Sequence, residues 1–163
     1  MLSHVVELPY NLRGDLTVEG LGWPTDMVAD MNMNCIYIGD RYGFKNIQQP
    51  DNPGIFVLTE SGNPSHHRLD VTPAGLSLTQ DGLLLVVCEH HKKGRSLRFF
   101  HSERSSDAVE LVEVVERRTE LQLDRYLLQA VAVGSDRFVI SQCRENRDIH
   151  RIVVVNNKGT EVS

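Results

Sequence analysis

Apolar and polar positions along this chain recur in one unit that comes round three times: a short apolar strand, a tight polar turn, a second apolar strand, a charged loop and a third strand. Met27-Val28-Ala29-Asp30 leads through Asn32-Met33-Asn34 into Cys35-Ile36-Tyr37-Ile38-Gly39-Asp40, and later into Ile55-Phe56-Val57-Leu58. Leu76-Ser77-Leu78 leads through Gln80-Asp81-Gly82 into the run Leu83 to Cys88, then Leu97-Arg98-Phe99-Phe100. Ala130-Val131-Ala132-Val133 leads through Gly134-Ser135-Asp136 into Phe138-Val139-Ile140-Ser141-Gln142-Cys143, then Ile152 to Val155. The second strands end at Asp40, Cys88 and Cys143, spaced by 48 and 55 residues. A strand-built period of about 40–50 residues predicts one blade of a β-propeller per unit. The expected fold is all-β, a partial β-propeller of about three four-stranded blades, at residues 24–71, 73–118 and 127–163. Residues 1–22 are expected to supply strands of a preceding or closing blade.

Turns between strands fall at Asp81-Gly82, Ser61-Gly62 and Asn157-Lys158-Gly159, residues that accept positive φ. Residues 105–125 are ambiguous by periodicity, because Glu110, Glu113 and Glu116 interrupt apolar positions every three residues behind a capping Ser106. Four valines in the eight residues 108–115 weigh against a helix, and the repeat asks for an outer strand. An edge strand whose charges discourage aggregation is the expectation there. Three units do not close a ring, and an open stack leaves apolar faces in water. Either further blades of a longer chain or a second copy is therefore expected to complete it, the former being preferred.

A chain of 163 residues with 40% apolar residues suffices for one folded domain. Net charge of −5 provides no general attraction to nucleic acid or anionic membrane. The longest apolar run, Leu83 to Cys88, is too short to span a bilayer, and Met1-Leu2-Ser3-His4 does not begin a secretory signal. Three cysteines without paired spacing read as reduced thiols in a cytoplasmic protein.

Trp23-Pro24, Met27-Val28-Ala29-Asp30 and Ile36-Tyr37-Ile38-Gly39-Asp40, closed by Ile55-Phe56-Val57 and Ser61-Gly62, resemble the proline, the Val-x-Asp strand end and the Ile-Tyr-Val-x-Asp strand of NHL-repeat propellers. That family is best represented by tripartite-motif ubiquitin ligases of the RING–B-box–coiled-coil–NHL type. Thr72-Pro73 opens the second unit in the same way, while Cys88 and Cys143 stand where Asp40 stands in the first, and the third unit lacks the proline. The resemblance covers about residues 20–163 and implies a recognition platform. Ligase activity in such proteins lies in a RING domain, and this chain carries no Cys/His array of that kind.

The histidines, at 4, 66, 67, 90, 91, 101 and 150, form no nucleophile–base–acid set, and no Gly-x-Ser-x-Gly or phosphate loop is present. No enzymatic function and no cofactor are expected. Cys88-Glu89-His90-His91 is the best metal motif, but strand alternation sends these side chains to opposite faces, so no metal site is assigned. Asp30 and Asp40 suit a channel cation, as in metal-dependent propeller hydrolases; with cysteines at the equivalent places this is the weakest reading. Trp23 and Tyr37 are expected in the core or between blades.

Loops joining second to third strands emerge on one face of a propeller, here near residues 41–53, 89–96 and 144–148. They hold seven of the 17 basic residues and carry a net charge of +3, while residues 102–126 carry −3. The expected binding face comprises Arg41, Tyr42, Phe44, Lys45, His90, His91, Lys92, Lys93, Arg95, Arg144 and Arg147. Arginines there suit the carboxylates of an acidic protein segment, making a protein the leading partner. Single-stranded RNA, held by the same cations and two aromatics, is the alternative.

Overall fold

A computed structural model describes residues 18–41, 53–60, 64–90, 94–106, 108–121, 126–143 and 150–162. They form three consecutive antiparallel sheets. The first contains β1 (Pro24–Asp30), β2 (Cys35–Asp40), β3 (Gly54–Thr59) and β4 (Ser65–Arg68), in that order. The second runs β5 (Thr72–Leu78), β6 (Leu84–His90), β7 (Gly94–Arg104) and β8 (Val109–Glu113), with β9 (Thr119–Leu121) also on β7. The third is β10 (Tyr126–Ala132), β11 (Arg137–Cys143) and β12 (His150–Asn156). Among the described residues no helix is long and apolar enough to cross a membrane.

Pairing registers give the repeat a finer alignment than its apolar pattern does. A bulge follows Pro24, Pro73 and Leu127, and these three residues pair with Asp40, Cys88 and Gln142 respectively. Gln142, not Cys143, is thus the third-unit counterpart of Asp40. By the same register Val28, Ser77 and Val131 are equivalent, as are Met27, Leu76 and Ala130.

Alternation along β6 explains its unbroken apolar run. Leu84, Val86 and Cys88 pack towards the first sheet with Tyr37, Ile55 and Val57. Leu85 and Val87 pack towards the third with Phe138, Ile140, Val153 and Val155. A strand covered on both faces has no position left for water and so carries no alternating polar residue. Each such side chain contributes roughly 1.5–3 kcal/mol on burial. These two interfaces hold most of the core.

The middle sheet departs from the expected four strands. Residues 109–121 form an outer strand along β7, as the valines and the repeat predict, but a 3-10 turn at Val115–Arg117 interrupts it. The register moves by three residues across that turn, so β8 covers one half of β7 and β9 the other. Arg117, on the turn, lies 4.8 Å above the Phe99 ring and donates to Asp81 Oδ2 at 2.6 Å. Gly159 sits where a Cβ would come within 3.4 Å of the Glu120–Leu121 backbone, and Thr119 Oγ1 donates to Asn157 O at 3.1 Å. The broken strand therefore fastens the third sheet to the second.

The third sheet also differs from the expectation, with three strands rather than four. Residues 160–162 begin to pair along β12: Val155 bridges Glu161, and Val162 N donates to Val154 O at 2.7 Å. The strands expected before residue 18 lie outside the described residues. Val18 and Leu21 are described, and pack on the outward face of the first sheet over Ile38, Phe56 and Leu58.

Candidate recognition cleft

A cleft of about 280 Å³ opens between the first and second sheets, lined by Trp23, Pro24, Thr25, Arg41, Thr72, Pro73, Ala74 and Glu89. These eight residues are one set of four taken twice. The bulge register aligns Pro24 with Pro73 and Thr25 with Ala74, and the neighbouring positions align Trp23 with Thr72 and Arg41 with Glu89. The cleft exists because two repeats present the same corner, where the first strand begins and the second ends.

Local chemistry makes that corner rigid. Asp40 is fully buried, and its two carboxylate oxygens accept Trp23 N at 2.6 Å and Gly22 N at 2.9 Å. The Thr25 hydroxyl is within hydrogen-bond distance of Gly39 O (3.2 Å) and Pro73 O (3.1 Å), linking the sheets. A Cβ on Gly39 would come within 2.8 Å of that hydroxyl, so glycine permits the close approach.

Charge at the cleft is held in a three-residue chain. Glu89 Oε1 accepts Arg95 Nη2 at 3.2 Å and Nε at 3.3 Å, while its Oε2 lies 3.6 Å from Arg41 Nη2. Two guanidinium groups thus share one carboxylate at a cleft whose lining includes Trp23. The Arg41 end is the accessible one, 45% exposed, and an exposed ion pair of this length contributes only about 0–1 kcal/mol to stability.

Of the eleven residues expected on the binding face, Arg41 and Arg95 meet at this point, 54 positions apart, through Glu89. Tyr42, Phe44, Lys45, His91, Lys92, Lys93, Arg144 and Arg147 lie outside the described residues, as does the His90 side chain. Tyr37 is buried as expected, its hydroxyl 2.6 Å from Ser102 Oγ and donating to Asp30 Oδ2 at 3.2 Å. Trp23 corrects the sequence expectation: it is 62% exposed. It precedes β1, outside the pleat that sends apolar side chains inward, and the Asp40 carboxylate holds its backbone at the rim.

The other candidate chemistry is structural. Asp30 caps the β1–β2 turn, accepting Asn32 N and Met33 N at 3.0 Å each. Asp40 holds the chain before β1 through Trp23 N and Gly22 N. Cys88 faces the first sheet, fully buried, and burial pushes its thiol up to about 12. Among the described residues no three metal-ligating side chains converge. Part of the acidic segment 102–126 is also internal: Glu113 accepts Arg118 at 2.6 Å and stands 3.7 Å from buried Arg98, which donates to Asp70 at 2.6 Å.

The sequence analysis missed Asp26. Its Oδ2 accepts Leu76 N at 2.8 Å and Gln129 Nε2 at 2.7 Å, joining the first strands of all three sheets. The available signal was a polar residue at the same register position in two first strands, positions 26 and 129. No family model, curated protein or solved structure matches this chain.

Proposed function

We propose that this chain is a recognition module that binds an acidic protein segment in the cleft between its first two sheets. The carrying observation is the exposed Trp23 at the rim of a cleft where Arg41 and Arg95 share the Glu89 carboxylate. An aromatic face with adjacent guanidinium groups suits a segment that brings both an apolar side chain and a carboxylate. In this reading the three sheets are successive blades of an NHL-like propeller segment, and the module serves as the non-catalytic, substrate-recognising part of a cytoplasmic ubiquitin ligase or related scaffold. Support for the propeller comes from the repeated bulge register and from β5 lying between β1 and β10. Trp23 is the one aromatic in the described lining of the cleft, too few stacking faces for a run of bases, which is why protein is preferred to RNA.

Trp23 is the sole tryptophan, so its fluorescence reports directly on the cleft. Titration with an Asp/Glu-rich peptide should shift that emission, and the Asn/Gln counterpart peptide should not. Arg41→Met should weaken acidic-peptide binding, and Glu89→Gln should strengthen it by removing the internal competitor. An emission unchanged by either peptide, together with tight, salt-sensitive binding of single-stranded RNA, would replace this proposal with the RNA reading.

A further inference from the structure

The Glu89 carboxylate is divided between two sheets. Its Oε1 accepts Arg95 Nη2 at 3.2 Å and Nε at 3.3 Å, within the second sheet. Its Oε2 lies 3.6 Å from Arg41 Nη2, on the far side of the cleft, where the chain leaves the first sheet. Glu89 and Arg95 are direct cross-strand partners on β6 and β7, so pairing register alone brings them together. Arg41 meets Glu89 across the packing of two sheets.

The two arginines also differ in what they can reach. Arg41 lines the cleft, whereas the Arg95 side chain is 14% exposed and is not one of the eight lining residues. A segment lying in the cleft therefore meets Arg41 and Glu89 but not Arg95. A guanidinium holds a carboxylate most strongly as a fork, two N–H groups on two oxygens. Glu89 offers Arg41 one oxygen, at a distance longer than a hydrogen bond, while Arg95 engages the other.

We infer that Arg95 is a positioning residue for recognition in the cleft, acting on the ligand through Glu89 by withholding that carboxylate from Arg41. With Arg95 in place, the carboxylate of a bound acidic segment competes for Arg41 against one long contact. Without Arg95, both Glu89 oxygens turn to Arg41, and the chain's own carboxylate closes the fork that the ligand would use. Arg95 thus raises affinity for an acidic segment without touching it, unlike the contact residue that a cation in a basic loop suggests. This inference rests on the binding role proposed for the cleft and adds the device that sets its affinity.

Trp23 emission, titrated with the Asp/Glu-rich peptide, tests this in the wild type, Arg95→Met, Glu89→Gln and the double variant. Arg95→Met should bind about two- to fivefold more weakly, the range set by one exposed ion pair. Glu89→Gln should bind more tightly, and adding Arg95→Met to it should change nothing further, because the carboxylate through which Arg95 acts is gone. If Arg95→Met loses the wild-type circular dichroism, Arg95→Gln is read in its place. An equal loss of affinity from Arg95→Met with and without Glu89→Gln would mean that Arg95 attracts the peptide directly; it would overturn the inference and leave the cleft as the binding site. Wild-type affinity in Arg95→Met would do the same. A wild-type emission that the peptide does not move ends the binding role of the cleft, and the inference with it.

Discussion

Gln129 and Asp26 stand 103 positions apart and are joined by one hydrogen bond of 2.7 Å. The same amide nitrogen also donates to Leu76 O at 3.1 Å, while Leu76 N donates to Asp26 Oδ2 at 2.8 Å. One carboxylate oxygen and one amide thus tie β1, β5 and β10. The tie lies among first strands packed against one another, where an unmet N–H is costly.

Replacing Asp26 with alanine leaves Leu76 N–H without its acceptor and removes one of the two acceptors of the Gln129 amide. With hydrogen bonds to charged groups worth about 1.5–3 kcal/mol, we expect Asp26→Ala to destabilise the fold by about 2–4 kcal/mol. Gln129→Ala should cost less, about 1 kcal/mol, because the backbone bond from Leu76 to Asp26 survives. Urea denaturation of the single and double variants checks this. Strict additivity would show that the two side chains do not act on each other.

Acid should unfold the protein in two stages. Desolvation lowers both the His66 and His67 imidazoles below their ordinary value of 6.5: His67 is half-buried and meets Phe100 at 5.5 Å, while His66 is an exposed side chain resting on Phe56 at 4.5 Å. The unfolded chain binds these protons more readily, so stability present above pH 6.5 is lost as pH falls through the depressed folded values. The hydrogen bond from Arg98 to Asp70, and those from Thr79 and Arg117 to Asp81, hold both carboxyls below 3.8. Their contribution is present above that pH and disappears below it. Urea midpoints should therefore decline first below pH 6.5, and the His66→Asn/His67→Asn double variant should flatten that first stage. A wild-type midpoint constant from pH 7 to pH 5 would contradict this account.

Thiol chemistry should separate the folded chain from the unfolded one. Cys35 and Cys88 are buried, and burial raises both thiols, Cys88 to about 12. Since the thiolate is the reactive form, neither should react with a maleimide at pH 8 in the native protein. Both should react at once in urea. Peptide mapping by mass spectrometry distinguishes these two sites from Cys143, and rapid native labelling of Cys88 would mean that the first and second sheets separate readily.

Strand positions were legible because β-branched and aromatic residues cluster between turns that need glycine, asparagine or aspartate, and this is local chemistry. The choice of strand over helix at residues 109–113 followed from valine crowding in the same way. The three-residue step at Val115–Arg117 was not legible, because it depends on where Arg117 finds Phe99 and Asp81. Charge clustering in the loops pointed to Arg41 and Arg95, but their meeting on Glu89 was set by the pairing of β6 with β7 and the packing of two sheets.

The repeat was legible from residue order: three apolar strand sets and their turns, each dictated by interactions within a few residues. Tertiary structure alone decided which oxygen of Asp26 receives Gln129, why Trp23 faces outward while Tyr37 does not, and that Asp40 caps a backbone. Those outcomes depend on atoms far apart along the chain, whose distances are set by the bulge register and the stacking of whole sheets.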